Sequence, residues 1–207
     1  MAIGNLSLLS QNGASANTAV GYNAGRSFTT GVNNVIVGTF AGDALTDADN
    51  NVSIGYSSLT ADTLGSRSLA IGSFALTAQN FSTATNSYNL AVGYATGQSI
   101  TTGTLNTLVG AFAGDALTDA DSNVALGYGT LTSDTLGSRS VAIGRDALFN
   151  QNFTTAQDNY NVAVGYNAGN AITTGLRNTI VGGLAGDSLT DADGNAVLGY
   201  GALSSDT

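Results

Sequence analysis

The chain is predicted to be an all-β protein, a parallel β-solenoid of about twelve coils of about 17 residues each that runs as one domain over 1–207. Three observations predict it. First, a glycine directly preceded by an aliphatic residue recurs at Gly4, Gly21, Gly38, Gly55, Gly72, Gly93, Gly110, Gly127, Gly144, Gly165, Gly182 and Gly199. Second, the anchors are evenly spaced: every interval equals that from Gly4 to Gly21, except Gly72 to Gly93 and Gly144 to Gly165, which are each longer by the same short insertion. A fixed period of this length marks a solenoid, whose coils bury their apolar faces only by stacking on one another. Third, the composition is that of strands and turns: 28 Gly with no Pro, charged residues at only 9%, and Asn, Ser, Thr and Ala abundant. Such residues favour turns, and the Val, Ile and Leu among the 43% apolar residues favour strands.

Taken in order, the coils fall into four types that recur in the same sequence, so that every fourth anchor begins a near-copy, as Gly21, Gly93 and Gly165 do. The super-repeats are 1–68, 69–140 and 141–207. Both chain ends fall near unit boundaries, which leads us to expect either a piece of a longer array or a subunit that stacks end to end.

Within a coil, the residue before the anchor is always Ile, Val or Leu, from Ile3 to Leu198, and that row is expected to form the core. Three residues after the anchor the side chain is always small, as at Ala41 and Ala113. Four residues after it stands either Gly, as at Gly42, or Leu, as at Leu59. Asn or Ser stands four residues before each anchor after the first, as at Asn17, Asn34 and Asn51. Stacked Asn can share amide hydrogen bonds from coil to coil. A single turn at DALTDAD is the only helical candidate. The strand before the anchor is apolar on both faces, with Val35, Ile36 and Val37 consecutive. A strand of this kind is covered on both sides. A coil this short is too thin to supply both covers, so the second is expected from another chain, over a face that includes Ile36, Leu108 and Ile180.

Charge and missing residue types narrow the function. A net charge of −9 offers no electropositive footprint for nucleic acid or anionic membranes. No apolar run is long enough to span a bilayer, and no signal peptide is visible at MAIGNLSLLS. Without His, Cys, Lys or Glu there is no triad, thiolate, Schiff base or familiar zinc set, and the chain reads as non-enzymatic.

At NVAVGYNAG (161–169), RSVAIG (139–144) and RSLAIG (67–72), the chain resembles the YadA-like head repeat of trimeric autotransporter adhesins. It is also similar to the NTAVGYxAG arrays of bacteriophage tail fibres. The likeness covers all twelve coils. It implies a left-handed roll, three chains side by side about one axis, and a shaft or head that carries an adhesive surface outside the cell or on a virion. The repeats of those heads are usually shorter, and no stalk, membrane anchor or chaperone domain of the usual kind is visible. A hexapeptide acyltransferase helix would need its motif on three sides of each coil, and here one side fits. The nonapeptides of calcium-binding rolls are missing.

Three features are candidate sites. Asp43, Asp47 and Asp49, with Asp115, Asp119 and Asp121 and with Asp187, Asp191 and Asp193, form three loops of three closely spaced carboxylates, each a set that could hold calcium or form a solvated turn. Tyrosine follows alternate anchors (Tyr22, Tyr56, Tyr94, Tyr128, Tyr166, Tyr200) and could pack at a chain edge or stack sugars. The two longer coils carry the only insertions, NFSTATNSYN (80–89) and NFTTAQDNYN (152–161). Their Phe81, Tyr88, Phe153 and Tyr160, among small polar residues, suit an adaptable contact with a receptor or glycan, or the Phe rings plug the coil beneath. Paired threonines such as Thr101 and Thr102 are too sparse for an ice-binding array.

The expectation is therefore a homotrimeric fibre segment without a cofactor, unless the Asp loops hold calcium. A self-assembling filament stacking head to tail is the alternative.

Overall fold

The computed structural model describes residues 1–204. Twelve short strands form one parallel sheet: β1 (Ala2–Ile3), β2 (Thr18–Val20), β3 (Val35–Val37), β4 (Val52–Ile54), β6 (Leu69–Ile71), β8 (Leu90–Val92), β9 (Thr107–Val109), β10 (Val124–Leu126), β12 (Val141–Ile143), β14 (Val162–Val164), β15 (Thr179–Val181) and β16 (Ala196–Leu198). Each pairs with the next in chain order, and identical coil positions stand in register: Val124 pairs with Val141, Ala125 with Ala142 and Leu126 with Ile143. Two further ladders, β5 (Gly65–Ser66) with β7 (Thr85–Asn86) and β11 (Gly137–Ser138) with β13 (Gln157–Asp158), tie each inserted loop to the preceding coil. The described residues contain no helix, and DALTDAD is turn. The parallel β-solenoid is thus present, with very short strands and the greater part of each coil in turns.

The rest of each coil is stacked in the same way. After the anchor come two successive turns, closed by Ala41 N to Gly38 O (3.3 Å) and Leu45 N to Gly42 O (3.3 Å). Between them, amides donate to the next coil, as Gly42 N does to Ser58 O (2.9 Å). The anchors are glycine because the backbones touch there. At Gly110, with φ +134°, a Cβ would lie 2.3 Å from the carbonyl oxygen of Gly127.

The asparagine row forms the expected internal ladder. The backbone N–H of Asn34 donates to Asn17 Oδ1 (2.8 Å), and that of Asn51 donates to Asn34 Oδ1 (2.8 Å). The Nδ2 of Asn34 reaches across the coil to Ala48 O (2.8 Å). Buried amides are therefore paired along the axis, which removes the penalty of enclosing them.

The core row differs from expectation. The residue before the anchor faces outward, and the residue two before it faces in: Ala19, Ile36, Ala70, Leu108, Ala125 and Ile180 have no exposed surface. In so short a strand the first and third side chains share one face, and the middle one takes the other. The interior is filled by complementary choices. Where the fourth residue after the anchor is Gly, a large apolar side chain follows three residues later and fills the space, as Phe28 does over Gly25 and Leu117 over Gly114. A Cβ on either glycine would come within 2.8 Å of that side chain. Where the fourth residue is Leu, as at Leu59, Leu76, Leu131 and Leu148, the later position is polar: Asp62, Gln79, Asp134 and Gln151, all without exposed surface.

Candidate functional site

The parity of the strands turns a long apolar surface outward. Val20, Val37, Ile54, Ile71, Val92 and Val109, with Val35, Val52, Leu69, Leu90, Val124 and Val141 beside them, occupy the first and third positions of successive strands, all on one face. Most are half-buried, and Val35 and Val109 are exposed. Twelve coils at about 4.8 Å make this strip roughly 55 Å long. Ile36, Leu108 and Ile180, expected on the face between chains, stand instead inside their own chain. The outward apolar face is made instead by the alternate residues of the strands.

One edge of the face is a ladder of rings. Tyr22, Phe40, Tyr56, Phe74, Tyr94, Phe112 and Tyr128 follow one another edge to face, with centroids 5.3 to 6.2 Å apart. Beyond Tyr128 the next ring is replaced by Arg145, whose guanidinium lies 5.6 Å from the Tyr128 centroid. The tyrosines keep about half of their surface in solvent (Tyr22 44%, Tyr94 51%). The sequence identified the tyrosines but not the phenylalanines interleaved with them, because the two ring types occupy adjacent positions in alternate coils.

The opposite edge is formed by the residues five before each anchor. Asn33, Asn50, Arg67, Tyr88, Leu105, Arg139, Tyr160 and Arg177 all hold positive φ there and all are exposed. Arg67 lies over the Tyr88 ring and Arg139 over the Tyr160 ring, each at 5.7 Å. Arg139 also donates to Asp158 Oδ2 (2.6 Å) and to the Tyr160 hydroxyl (2.8 Å). The candidate loop aromatics therefore separate. Phe81 and Phe153 are buried and plug the coil, the second of the two roles open to them, and are not placed for ligand contact. Their register is set from inside: the Phe153 N–H donates to Asp134 Oδ1 (3.0 Å), and Thr135 Oγ1 donates to Phe153 O (2.9 Å). Tyr88 and Tyr160 remain half exposed, on the edge of the apolar face.

The aspartate loops do not gather their carboxylates. Among the described residues no group of three acidic, His or Cys side chains is placed to hold a metal ion. Asp43 accepts from Thr60 Oγ1, Asp47 from Thr30 Oγ1 (2.5 Å) and Asp49 from the Val32 N–H (2.8 Å). The second loop repeats this, with Asp115 on Thr132, Asp119 on Thr102 (2.5 Å) and Asp121 on the Thr104 N–H (2.6 Å). In the third, Asp193 accepts from the Leu176 N–H (2.7 Å), and Asp191 Oδ1 accepts from Thr190 Oγ1 (3.3 Å). Asp187 Oδ1 is buried without a partner among the described residues. The carboxylates of each loop are thus held separately and are not gathered into one set. Asp119 and Asp121 do share an open recess with Ser138, Ala156, Gln157 and Asp158.

Two interior acids escaped the sequence reading. Asp62 Oδ1 accepts from the Gly65 (2.9 Å) and Phe81 (3.2 Å) amides, and Gln79 Nε2 donates to its Oδ2 (2.6 Å). Gln79 Oε1 in turn accepts from Asn89 Nδ2 (2.9 Å). Asp134 and Gln151 repeat the arrangement. Burial raises both carboxyl pKa values above the ordinary range, against the lowering effect of these donors. The alternation of Phe28 and Leu45 with Asp62 and Gln79 at one coil position was the available signal.

No family model matches this chain, and neither does any curated protein or any solved structure.

Proposed function

We propose that the chain is a non-enzymatic segment, shaft or head, of a homotrimeric fibre, a phage tail fibre or surface adhesin that gives reach and attachment outside the cell. The observation that carries this reading is the outward apolar face of the twelve-stranded sheet. A monomer rarely leaves a contiguous apolar patch beyond a few hundred Å² in water, and this strip, roughly 55 Å by 10 Å, stands at the upper end of that range before the aromatic rings that flank it are added. The copy number of three and the adhesive role rest on the resemblance of NVAVGYNAG and RSVAIG to YadA-like heads and phage fibre arrays. The aspartates bonded to neighbouring coils suit a solvated, rigid flank rather than a reaction centre. Receptor or glycan contact, on this reading, falls to the exposed polar residues of the inserted loops and not to Phe81 or Phe153.

Sedimentation equilibrium over a wide concentration range tests the reading. A closed assembly of three times the 20.6 kDa chain mass, constant with dilution, is expected. A mass that grows with concentration would favour the head-to-tail filament, and a monomer would end both.

A further inference from the structure

The two edges of the apolar face are chemically unlike, and this bears on how copies meet. One edge is the ring ladder from Tyr22 to Tyr128, with no charge until Arg145 and Asp146. The other carries Leu105 (55% exposed), the rings of Tyr88 and Tyr160, and three of the five arginines, Arg67, Arg139 and Arg177. Resting on the trimer reading above, we propose that the copies run parallel and that the ring-ladder edge of one packs against the Leu105 and arginine edge of the next.

The alternative is antiparallel packing, in which like edges meet. Turning a copy end over end about the middle of the twelve coils brings Arg67, in the fifth coil, to within one coil of Arg139, in the ninth. That sets the Arg67 guanidinium against that of Arg139, whose own charge is already matched by Asp158, so Arg67 gains no counter-charge there when water is excluded. In the parallel arrangement coils meet at the same level. Arg67 then falls among Tyr56, Phe74 and Tyr94, Arg139 among Tyr128 and Tyr166, and Arg177 between Tyr166 and Tyr200. A guanidinium over a ring face is favourable and gains strength when water is excluded. Within each copy, Arg67 and Arg139 already take that geometry on Tyr88 and Tyr160. Arg67 makes no ion pair among the described residues, so its charge is available to a second ring.

The chain has no cysteine, which makes the test direct. Tyr94 and Leu105 lie at opposite edges of one face, roughly 20 Å apart at about 3.3 Å per residue, too far for a short bismaleimide within one chain. The double variant Tyr94→Cys/Leu105→Cys, treated with that reagent, should give covalent multimers ending at the native copy number. Either single variant alone should give none, and mixing the two single variants before assembly should restore cross-linking. Covalent dimers from Leu105→Cys alone would overturn the proposal in favour of like edges meeting. A native multimer of unchanged mass that fails to cross-link would overturn the edge pairing while leaving the fibre reading intact. A monomeric double variant, checked against the wild-type mass, leads to the same cross-link on Tyr128→Cys/Leu105→Cys and Tyr94→Cys/Tyr88→Cys, pairs that also lie within one coil of each other in level. Failure of all three in a multimeric protein rejects the pairing, and a monomeric wild type rejects both readings.

Discussion

Leu108 and Val109 are neighbours in β9, yet Leu108 has no exposed surface while Val109 keeps 37% of its own, because they stand on opposite faces of one short strand. Adjacent substitutions should therefore fail in different ways. Leu108→Asp puts an unpaired charge inside a coil packed on both sides and should unfold it, at a cost of several kcal/mol. Val109→Asp should leave the circular-dichroism spectrum unchanged and dissociate the assembly. Spectra and sedimentation on both variants check this. An unfolded Val109→Asp, or a folded but dissociated Leu108→Asp, would reverse the assignment of faces.

The buried acids predict an unusual dependence on pH. Asp62 and Asp134 hold their protons more tightly in the fold than in the unfolded chain, where a carboxyl titrates near 3.8. Above that value and up to the raised native one, the folded state binds more protons than the unfolded state, so stability falls as pH rises through the window. The protein should melt at a higher temperature near pH 4 than at neutrality. Asp62→Asn with Asp134→Asn should flatten that slope. A slope equal to wild type in the double variant would place its origin in other groups.

The second inserted loop carries a flaw that the first lacks. Ser140 Oγ donates to Asn159 Oδ1 (2.7 Å), but Asn159 Nδ2 is buried with no partner among the described residues. In the first inserted loop Ser87 stands at that position and pairs with Ser68 Oγ (2.5 Å) and Ser66 O (3.3 Å). An orphaned buried donor costs about 1–3 kcal/mol, so Asn159→Ser should stabilise by on the order of 1 kcal/mol after the loss of packing. Denaturant melts of the single variant provide the check, and a lower midpoint would count against it.

Phe153 is predicted to matter for stability and not for attachment. Phe153→Ala empties a site that is 7% exposed and should cost about 3 kcal/mol, in line with large aromatic deletions. Any glycan or receptor bound by the wild type should still bind the folded variant with its affinity unchanged. Loss of binding with an unaltered melt would give Phe153 the surface role instead of the plug.

The solenoid was legible because its causes are local and repeated. Glycine must stand at Gly110, where backbones approach too closely for a Cβ, and asparagine at Asn34, where one amide serves two coils. The direction of the strand side chains was not legible. Val35, Ile36 and Val37 are all apolar, so alternation within the strand gives no clue to which face is inside. The clue lay elsewhere in the coil. Ser53 stands at the inward strand position beside Leu59 and Asp62, whereas Leu108 stands there beside Gly114 and Leu117, so large and small side chains trade places across the interior. The edge ladder was half legible, since Tyr56 shares its position with Tyr94, whereas Phe74 becomes its neighbour only through the coil stack.

Whether further copies of the chain cover the outward face can be read from thiol reactivity at that face. With no native cysteine, Val109→Cys supplies the one thiol, and Thr174→Cys, on an exposed loop, supplies the reference. In the native protein the thiol from Val109→Cys should react with a maleimide at least a hundredfold more slowly than that from Thr174→Cys, and the two rates should converge after denaturation. Equal rates in the native protein would mean that the face stands open to water and that no further copy covers it.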